Sequence, residues 1–283
     1  MPGTLYLCGT PIGNMEDMTF RAVRILKEVD LIAAEDTRNS IKLLNHFDIH
    51  TPMTSYHEYN KTEKGRELVR QLLDGKNIAL VTDAGMPGIS DPGEELAALA
   101  QKEGIPVTAV PGPAACITGL VLSGLPSRRF AFEAFLPQEK KERREILEEL
   151  KGEFRTIVLY EAPHRLLRTL EELQDVLGET RRAAVCRELT KKHETIFRGS
   201  LAEACRKYRE EVPRGECVLA IEGRSRLEAR QEEQQAWKEM PLEEHMALYT
   251  EKGMSRKEAM KQVAKDRGCA KRDIYSQLLQ EEA

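Results

Sequence analysis

Residues 77–93 constrain the fold of this chain more than any other segment. Residues 77–81 form a short apolar run of the length expected for a buried parallel strand. The helix that follows has a recognisable start, with Asp91 suited to the N-cap, Pro92 to the first helical position and Glu94 to the position three residues after the cap. Glycines and prolines dominate the loop between them, so backbone conformation matters there more than side-chain bulk. Open α/β sheets bind their ligands at such loops.

The charge of this loop narrows the class of ligand. It contains Asp83 and Asp91 but no lysine or arginine. A pyrophosphate site would present backbone amides and often a lysine, with no acid facing the phosphates. Like-charge repulsion therefore argues against NAD or ATP and favours a ligand with hydroxyls, an amine or a positive centre. The alternative interpretation, a tight turn with an acidic cap, is equally compatible with the spacing.

Composition bounds the class of protein. A chain of 283 residues suits two domains and an appendage. The formal net charge of −4 argues against a nucleic-acid binder that uses its whole surface, so a polyanion would have to be bound by local basic patches. The six cysteines include no CxxC pair, which predicts reduced and mostly buried thiols in a cytoplasmic protein and no metal site.

Neither a targeting segment nor a membrane span is expected. The sequence runs from Met1 almost directly into an apolar strand, so no signal peptide is predicted. The longest apolar run, residues 114–125, contains threonine, serine and two glycines and is too short to span a bilayer.

Strand and helix patterns alternate through the first 120 residues or so. Apolar runs predict strands at 4–8, 31–34, 77–81 and 107–110, and helical patterns cover 18–29, 62–73, the segment ending near 103, and a segment with Pro113 at its first position. This alternation predicts a doubly wound parallel sheet, which we assign to residues 1–121.

The remainder of the chain predicts a second α/β domain and a helical extension. Strands are expected at 130–136, 156–160, 183–186 and 217–221, and helices at 139–150, 163–177 and after the capping box Ser200-x-x-Glu203. We therefore expect an α/β domain over 122–224. Residues 225–236 are highly charged and predict a linker, either a loose helix or disordered.

Residues 237–283 predict a small helical unit. Helices are expected at 242–251, 255–268 and 270–279, with a glycine turn between the last two. Short helices around a glycine, with many lysines and arginines, are typical of a helix-turn-helix nucleic-acid contact. A charged helical hairpin that caps the domain or mediates dimerisation is the alternative.

Several polar segments follow predicted strands, where an α/β sheet opens onto its ligand. They are Glu35-Asp36-Thr37-Arg38, Tyr160-Glu161-Ala162-Pro163-His164-Arg165 and Arg187-Glu188-Leu189-Thr190-Lys191. Solvated loops or buried structural ion pairs are the alternative interpretation of the same residues.

Together these segments resemble the tetrapyrrole-methylase superfamily of S-adenosylmethionine-dependent methyltransferases. Within it the chain most resembles the ribosomal RNA small subunit methyltransferase I group, whose members methylate the ribose 2′-hydroxyl of a cytidine in 16S ribosomal RNA. Further matching segments are Gly9-Thr10-Pro11-Ile12-Gly13-Asn14, residues 82–93 and Val110-Pro111-Gly112-Pro113. The match covers about residues 4–223, and the tail is similar to the helical extension common in the group.

The resemblance implies two α/β domains with S-adenosylmethionine in the cleft between them, usually in a homodimer. Cofactor contacts, which are largely made by the backbone in the superfamily, are expected at Pro11, Asp83, Ala84, Gly85, Ile89, Ser90, Ala114, Ala115, Glu161 and Leu189. The porphyrin-methylating members usually have G-x-G-P-G-D in the first loop, which reads Gly9-Thr10-Pro11-Ile12-Gly13-Asn14 here, and this departure makes a porphyrin substrate less favoured.

A ribose substrate would need a proton acceptor and phosphate contacts. The residues assigned to catalysis are Asp36, Arg38, Glu188 and Lys191, with His164 a less favoured acceptor. The residues expected to bind RNA are Arg165, Lys140, Lys141, Arg143, Arg144, Lys271 and Arg272. The partners implied are 16S ribosomal RNA or the small ribosomal subunit, with no membrane. Two other functions stay open: a tetrapyrrole methyltransferase, and a ligand-sensing regulator whose tail binds DNA.

Overall fold

The computed structural model describes residues 1–281, which form two compact units. The first unit is Met1–Glu222 and the second begins at Gly223. The first unit contains two five-stranded sheets, and the second is helical.

The first sheet is parallel throughout, with the strand order β3-β2-β4-β1-β5. Its elements are β1 (Leu5–Cys8), α1 (Phe20–Glu28), β2 (Leu31–Ala34), α2 (Thr37–His46), β3 (Met53–Ser55), α3 (Lys61–Leu73), β4 (Ile78–Val81), α4 (Gly93–Lys102), β5 (Val107–Val110) and α5 (Ala115–Ser123). All four residues of the central strand β4 are buried, as expected for a strand covered by helices on both faces. The α/β prediction is confirmed.

The second sheet is mixed, with the order β6-β7-β10-β8-β9. Its elements are β6 (Phe130–Phe135), α6 (Lys140–Lys151), β7 (Thr156–Glu161), α7 (Leu166–Leu177), β8 (Arg182–Arg187), β9 (Thr195–Ser200), α8 (Leu201–Glu210) and β10 (Cys217–Ile221). Only β6 and β7 pair in parallel, and the other three pairings are antiparallel.

Helix α5 connects the two sheets. It follows the last strand of the first sheet, yet Cys116 and Leu120 pack against Val158, Cys186 and Val218 of the second. Adding a Cβ atom at Gly119 would bring it within 2.6 Å of Val218 Cγ1, so the helix lies close against the second sheet. The other face of that sheet is covered by α6, α7 and α8.

Two edges of the sheets supply the loops that matter for function. The loops after β1, β2, β4 and β5 leave the carboxyl edge of the first sheet. In the second sheet, Glu161 at the end of β7 and Arg187 at the end of β8 both pair with Cys217 at the start of β10. The ends of β7 and β8 and the start of β10 therefore lie side by side.

Some elements differ from the sequence-based predictions. Strands β3 and β9 and helix α2 were not predicted. Pro92, not Asp91, is the N-cap of α4, and α5 begins at Ala115, two residues after the predicted Pro113. Residues 163–165 form a 3-10 turn before α7.

The second unit consists of α9 (Arg226–Glu239), α10 (Leu242–Thr250), α11 (Arg256–Arg267) and α12 (Lys271–Glu281). The segment 225–236, interpreted as a linker, is mostly the helix α9, because Ser225 accepts a hydrogen bond from the Glu228 N–H as its N-cap. The capping box at Ser255 and the left-handed Gly268 after α11 are present. Leu242, Met246, Val263 and Ile274 contribute to a separate apolar core.

Two findings limit the kinds of site to consider. Among residues 1–281, no group of histidine, cysteine, aspartate and glutamate side chains could hold a metal ion. In the same part of the chain, no helix is both long enough and apolar enough to cross a membrane. The six cysteines are free thiols, and five of them are buried.

Candidate active site

A cavity of about 380 Å³ lies within the first unit, between the loops of the two sheets. This volume is in the range of small-molecule sites. The first sheet lines it with Ile12, Glu35, Thr82, Asp83, Ala84, Gly85, Met86, Ile89, Ser90, Asp91, Ala114 and Ala115. The second sheet lines it with Phe135, Tyr160, Glu161, Ala162, Pro163, Leu189, Glu216, Cys217 and Val218.

The loop after β4 is held in shape by Asp91. Its carboxylate accepts hydrogen bonds from the N–H groups of Gly88 at 2.8 Å, Ile89 at 3.0 Å and Gly93 at 2.8 Å. Gly88 has a φ of 85° and Ser90 a φ of 66°, so the chain turns through left-handed conformations here. The acid predicted as a cap thus organises the whole loop.

The loop after β1 is joined to the loop after β4. Thr10 N–H donates to Gly85 O at 2.9 Å, and Gly85 N–H donates to Thr10 O at 3.2 Å. A Cβ atom at Gly9 would lie 2.8 Å from Gly112 Cα, so the loop after β5 packs equally closely. Of the ten residues predicted to contact a cofactor, all but Pro11 line the cavity.

The cavity wall is acidic. It includes Glu35, Asp83 and Asp91, and none of its residues, all within the described 1–281, is a lysine or arginine. Burial, and after it the negative charges of Asp83 and Asp91, raise the pKa of the half-buried Glu35 carboxyl. A ligand with a positive centre or an amine would relieve this repulsion, whereas phosphates would increase it.

Asp83, like Asp91, is held in place by hydrogen bonds. Its carboxylate accepts the Asp36 N–H at 3.2 Å and the Asn39 side-chain amide at 3.1 Å. Asp36 caps α2 and does not line the cavity. Arg38 donates to the Asp36 carboxylate through Nε at 3.0 Å and Nη2 at 2.7 Å, and these hydrogen bonds lower the pKa of Asp36 to about 2.

Glu161, in the opposite wall, directs its carboxylate into the protein. The carboxylate accepts the Thr169 hydroxyl at 2.6 Å and the Ala162 N–H at 2.8 Å. Arg165 Nε lies 3.0 Å from Glu161 Oε1, so the two side chains form an ion pair, although the Nε–H group donates no hydrogen bond within residues 1–281. Only the backbone of Glu161 is therefore available to a ligand.

Arg143 belongs to this network, which corrects its assignment to RNA binding. Its side chain is buried, with Nη2 donating to the Thr169 hydroxyl at 2.7 Å and Nε to Glu172 at 2.6 Å. A buried guanidinium that is already hydrogen-bonded cannot reach a phosphate. Its neighbours Lys140, Lys141 and Arg144 are exposed.

Glu188 and Lys191 form an ion pair beside the cavity. Lys191 Nζ lies 3.1 Å from Glu188 Oε1 and 3.1 Å from Glu216 Oε2. Burial by itself raises the pKa of Glu188, but hydrogen bonds from Lys191 and the Glu216 N–H lower it below its usual value. Leu189 lies between two left-handed residues, Glu188 and Thr190, and its side chain lines the cavity.

The turn that carries Leu189 contacts the loop after β1 at Gly13. A Cβ atom there would lie 2.5 Å from Lys191 Cγ and 2.8 Å from Leu189 O. The loop after β1 therefore packs directly on the turn that carries Leu189, and both walls of the cavity depend on this contact.

The other sequence-predicted residues lie in three places. Arg165, half-buried, pairs with Glu161, while His164 is exposed. Lys140, Lys141 and Arg144 lie at the start of α6, which follows β6. Lys271 and Arg272 lie in the first turn of α12, in the second unit.

Sequence reasoning missed several residues that line the cavity. Glu35 and Tyr160 lie in polar segments that the sequence singles out, but neither is assigned a role from the sequence, and Phe135 and Cys217 lie outside those segments. Cys217 is not a reactive thiolate, because burial raises its pKa to about 12. The end of a strand next to an acidic loop is the signal that could have drawn attention to Glu35.

Comparisons with known proteins place this geometry in a family. Residues 4–205 match the family of tetrapyrrole (corrin/porphyrin) methylases. A protein of Halalkalibacterium halodurans named ribosomal RNA small subunit methyltransferase I is 52% identical over 274 residues, which cover 97% of this chain and 94% of that protein.

A shorter relative carries the same name. The Thermotoga maritima ribosomal RNA small subunit methyltransferase I is 45% identical over 222 residues, which cover 78% of this chain but 99% of that protein. The first unit of this chain, Met1–Glu222, has 222 residues. That relative therefore has about the length of the first unit alone.

A solved structure agrees in fold. The crystal structure of uroporphyrin-III-C-methyltransferase from Thermus thermophilus has a TM-score of 0.57 and 21% identity, and the match covers 78% of this chain and 94% of that one. At this identity the likeness concerns the fold alone. With the family match over most of the first unit and a half-identical relative, the chain belongs to the tetrapyrrole (corrin/porphyrin) methylases.

Proposed function

We propose that this chain is an S-adenosylmethionine-dependent methyltransferase that methylates the ribose 2′-hydroxyl of a cytidine in 16S ribosomal RNA. The observation that carries the proposal is the 52% identity, over 97% of the chain, to a protein named ribosomal RNA small subunit methyltransferase I. The choice of cytidine and of the ribose oxygen follows the resemblance of the sequence motifs to that group.

The residues of the cavity fit this cofactor. When bound, S-adenosylmethionine supplies a methyl group on a positively charged sulfur that is an excellent leaving group. The acidic wall of Glu35 and Asp83, without a lining lysine or arginine in the described chain, suits a sulfonium and an amine. Ala84, Ala114 and Ala115 leave backbone groups accessible beside it, as contacts made largely by the backbone require.

Alignment of the nucleophile supplies much of the rate enhancement in a displacement of this kind. The tightly packed turns around Gly9, Gly13 and Gly112 fix the two walls relative to each other. Walls fixed in this way would hold a bound donor and the ribose oxygen in one orientation relative to each other.

Glu35 is the proton acceptor that the geometry favours. A ribose hydroxyl is a weak nucleophile, so a carboxylate that accepts its proton as the oxygen is methylated assists the reaction. Glu35 lines the cavity and has a raised pKa, which suits a general base. Asp36 and Glu188 are already bonded to Arg38 and Lys191, so we assign the two acids to positioning the walls and the two cations to binding RNA phosphates.

We also propose a cytoplasmic homodimer. Helix α5 is apolar along most of its length, and two of its side chains are uncovered: Ile117 is 45% exposed and Val121 is 68% exposed. An apolar helix with an uncovered face suits contact with a second copy of the chain. Light scattering on the purified protein tests this, and a monomer at micromolar concentration would contradict it.

One assay distinguishes the proposed substrate from its alternatives. A tritium-labelled methyl donor is incubated with small ribosomal subunits that lack the modification, with naked 16S ribosomal RNA and with a porphyrinogen in parallel. The RNA is then digested to nucleosides and separated. We expect label in the ribose of one cytidine, and a Glu35→Gln variant should incorporate it far more slowly.

Two results would overturn the proposal. Label only in the porphyrinogen would assign the chain to tetrapyrrole chemistry. Tight binding of the donor with no transfer to any of the three substrates would favour the ligand-sensing regulator, and loss of DNA binding on deletion of residues 236–283 would support that function.

A further inference from the structure

We propose that unpaired bases of the RNA stack on three exposed aromatic side chains around the mouth of the cavity: Phe135, Tyr59 and Phe20. This inference rests on the proposed function and deepens it, because it assigns the surface that recognises the RNA as single-stranded. None of the three residues was selected from the sequence as a contact.

The distribution of exposed aromatic side chains is the first observation. The chain has only 15 phenylalanine, tyrosine and tryptophan residues, and within residues 1–280 five of them are large exposed hydrophobics. The two most exposed are Phe20 at 98% and Tyr59 at 97%. Phe135, at 48%, lines the cavity itself.

Phe135 lines the cavity, and Phe20 and Tyr59 lie in or next to loops at the sheet edge that supplies the first wall. Phe20 begins α1, directly after the loop that follows β1, and Tyr59 lies in the loop that follows β3. Both loops leave the carboxyl edge of the first sheet, which also supplies Glu35 and Asp83. Phe135 ends β6 opposite Tyr160, another residue of the cavity wall.

The Phe135 ring packs against Tyr160 on one side and is exposed on the other. Its ring centroid lies 5.6 Å from that of Tyr160, which also contacts Phe132 at 5.0 Å. The Tyr160 hydroxyl accepts the Cys116 N–H at 3.1 Å, so its ring cannot move freely. A ring supported on one side and exposed on the other is prepared to receive a flat group.

Tyr59 is exposed on a loop with fixed geometry. Asn60 accepts the His57 N–H at 2.8 Å through its side chain, and Asn60 N–H donates to His57 O at 3.0 Å. The buried Tyr56 donates its hydroxyl to Pro92 O at 3.0 Å, which ties this loop to the loop after β4. These bonds fix the backbone on both sides of Tyr59, and the Tyr59 ring itself is exposed.

Exposed cations lie on the same edges. Arg38, whose side chain is 87% exposed, has its guanidinium plane fixed by Asp36, and Lys140 and Lys141 follow Phe135 at the start of α6. Aromatic rings interspersed with such cations are the usual composition of a surface for unpaired RNA, in which rings take the bases and cations take the phosphates.

The length of the shorter relative supports RNA contacts in the first unit. The Thermotoga maritima protein has about the length of residues 1–222 and the same printed name as the longer relative. Under the proposed function, a protein of that length would recognise its RNA without a helical tail, which supports RNA contacts in the first unit. The aromatic surface described here belongs to the first unit.

The test uses the full-length protein and the three single substitutions Phe135→Ala, Tyr59→Ala and Phe20→Ala. Steady-state methylation of unmodified small subunits gives the KM for RNA, and calorimetry gives the affinity for the donor. We expect each substitution to raise the KM for RNA about 5- to 100-fold, because each removes one stacked base. The donor affinity should stay within twofold of wild type in Tyr59→Ala and Phe20→Ala, whose side chains do not line the cavity.

Conservative and matched variants separate stacking from folding. Tyr59→Phe and Phe135→Tyr keep an aromatic face and should restore the wild-type KM. Phe154→Ala is the control, since Phe154 is 41% exposed but precedes the start of β7, at the opposite edge of the second sheet. Its KM for RNA should not change.

Three results would overturn the inference. One is an unchanged KM for RNA in all three alanine variants, and another is a loss of donor affinity in Phe135→Ala with the KM for RNA unaltered. The third is a change of oligomeric state that accounts for the defect, which would assign the rings to contact with a second copy. If the wild type labels no RNA, the proposed function itself fails; the three results above leave it standing.

Discussion

The acidic residues of the two cavity walls differ in whether they are paired with a cation. In the first sheet, Glu35 and Asp83 face the cavity together, and the charges that act on Glu35 are all negative. In the second sheet, Glu161 is paired with Arg165 and Glu188 with Lys191. One wall keeps a surplus of negative charge for a ligand, and the other uses its charges to hold its own turns in place.

This difference shows that similar sequence segments can have different roles. Glu35-Asp36-Thr37-Arg38 and Arg187-Glu188-Leu189-Thr190-Lys191 both place acids and cations after a strand. In the first segment Arg38 pairs with Asp36, so Glu35 is left facing the cavity. In the second segment Lys191 pairs with Glu188, the one acid present. The carboxylate that we propose as proton acceptor, Glu35, is the one that the cation does not reach.

The largest expected effect concerns the paired wall. Arg143→Leu removes a buried cation from the Thr169 and Glu172 network, leaving Glu172 without its buried partner, and we expect the free energy of unfolding to fall by about 3–5 kcal/mol. Urea denaturation measures it. Lys141→Leu, on the exposed face of the same helix, should change it by less than about 0.5 kcal/mol. Equal stabilities for the two variants would contradict a structural role for Arg143.

The unpaired wall should show its effect in catalysis. Glu35→Gln removes the proposed proton acceptor, and we expect kcat to fall about 100- to 1000-fold. Its free energy of unfolding should stay the same or rise, because burial and neighbouring acids disfavour the charge that the amide removes. Single-turnover methylation gives the rate. Glu188→Gln is the comparison, and a larger loss of rate there than at Glu35 would reverse the assignment.

The pH dependence of donor binding gives a third test. The raised pKa of Glu35 means that protonation begins at a higher pH than for an ordinary glutamate, and a cationic ligand prefers the ionised form. As the pH falls through this pKa, donor affinity should fall by up to about tenfold per pH unit, measured by calorimetry. Glu35→Gln should flatten the profile; an unchanged profile would exclude Glu35 as the titrating group.

The same pKa shift has a defined sign for stability. The folded state holds the Glu35 proton more tightly than the unfolded state does. Without ligand, this residue therefore makes the protein less stable as the pH rises from the pKa of Glu35 in the unfolded state through its raised pKa in the folded state.

The smallest effect is expected at the partly exposed ion pair. Lys191→Ala breaks the contacts with Glu188 and Glu216, but the Lys191 side chain is 33% exposed and solvent screens it. We expect the free energy of unfolding to fall by about 1 kcal/mol or less, and less at high salt. Lys192→Ala, at an exposed neighbouring position, is the control for denaturation; a loss of several kcal/mol in Lys191→Ala would show that the pair is buried in practice.

Much of the fold could be predicted because local signals agree with packing. The apolar run 77–81 became the fully buried β4, and the capping boxes at Ser200 and Ser255 both form. Strand β3 escaped prediction because its three residues are only partly buried and show no apolar alternation. The antiparallel pairings of the second sheet depend on contacts distant in sequence, which periodicity does not encode.

The site was predictable at its backbone turns and less so at its side chains. Of the ten cofactor contacts that the resemblance to the superfamily implies, nine line the cavity. Arg143 was grouped with its charged neighbours, although Arg143, Leu147 and Leu150 share one buried face of α6. That spacing was visible in the sequence, but buried arginines are rare enough that charge was given more weight.

Helix α5 has a consequence for how the first unit unfolds. A fragment that ended near residue 121 would keep most of α5 but lose β7, β8 and β10, the strands against which Cys116 and Leu120 pack. Such a fragment would expose an apolar helix and aggregate. Residues 1–222 should therefore melt in a single cooperative transition, despite containing two separate sheets.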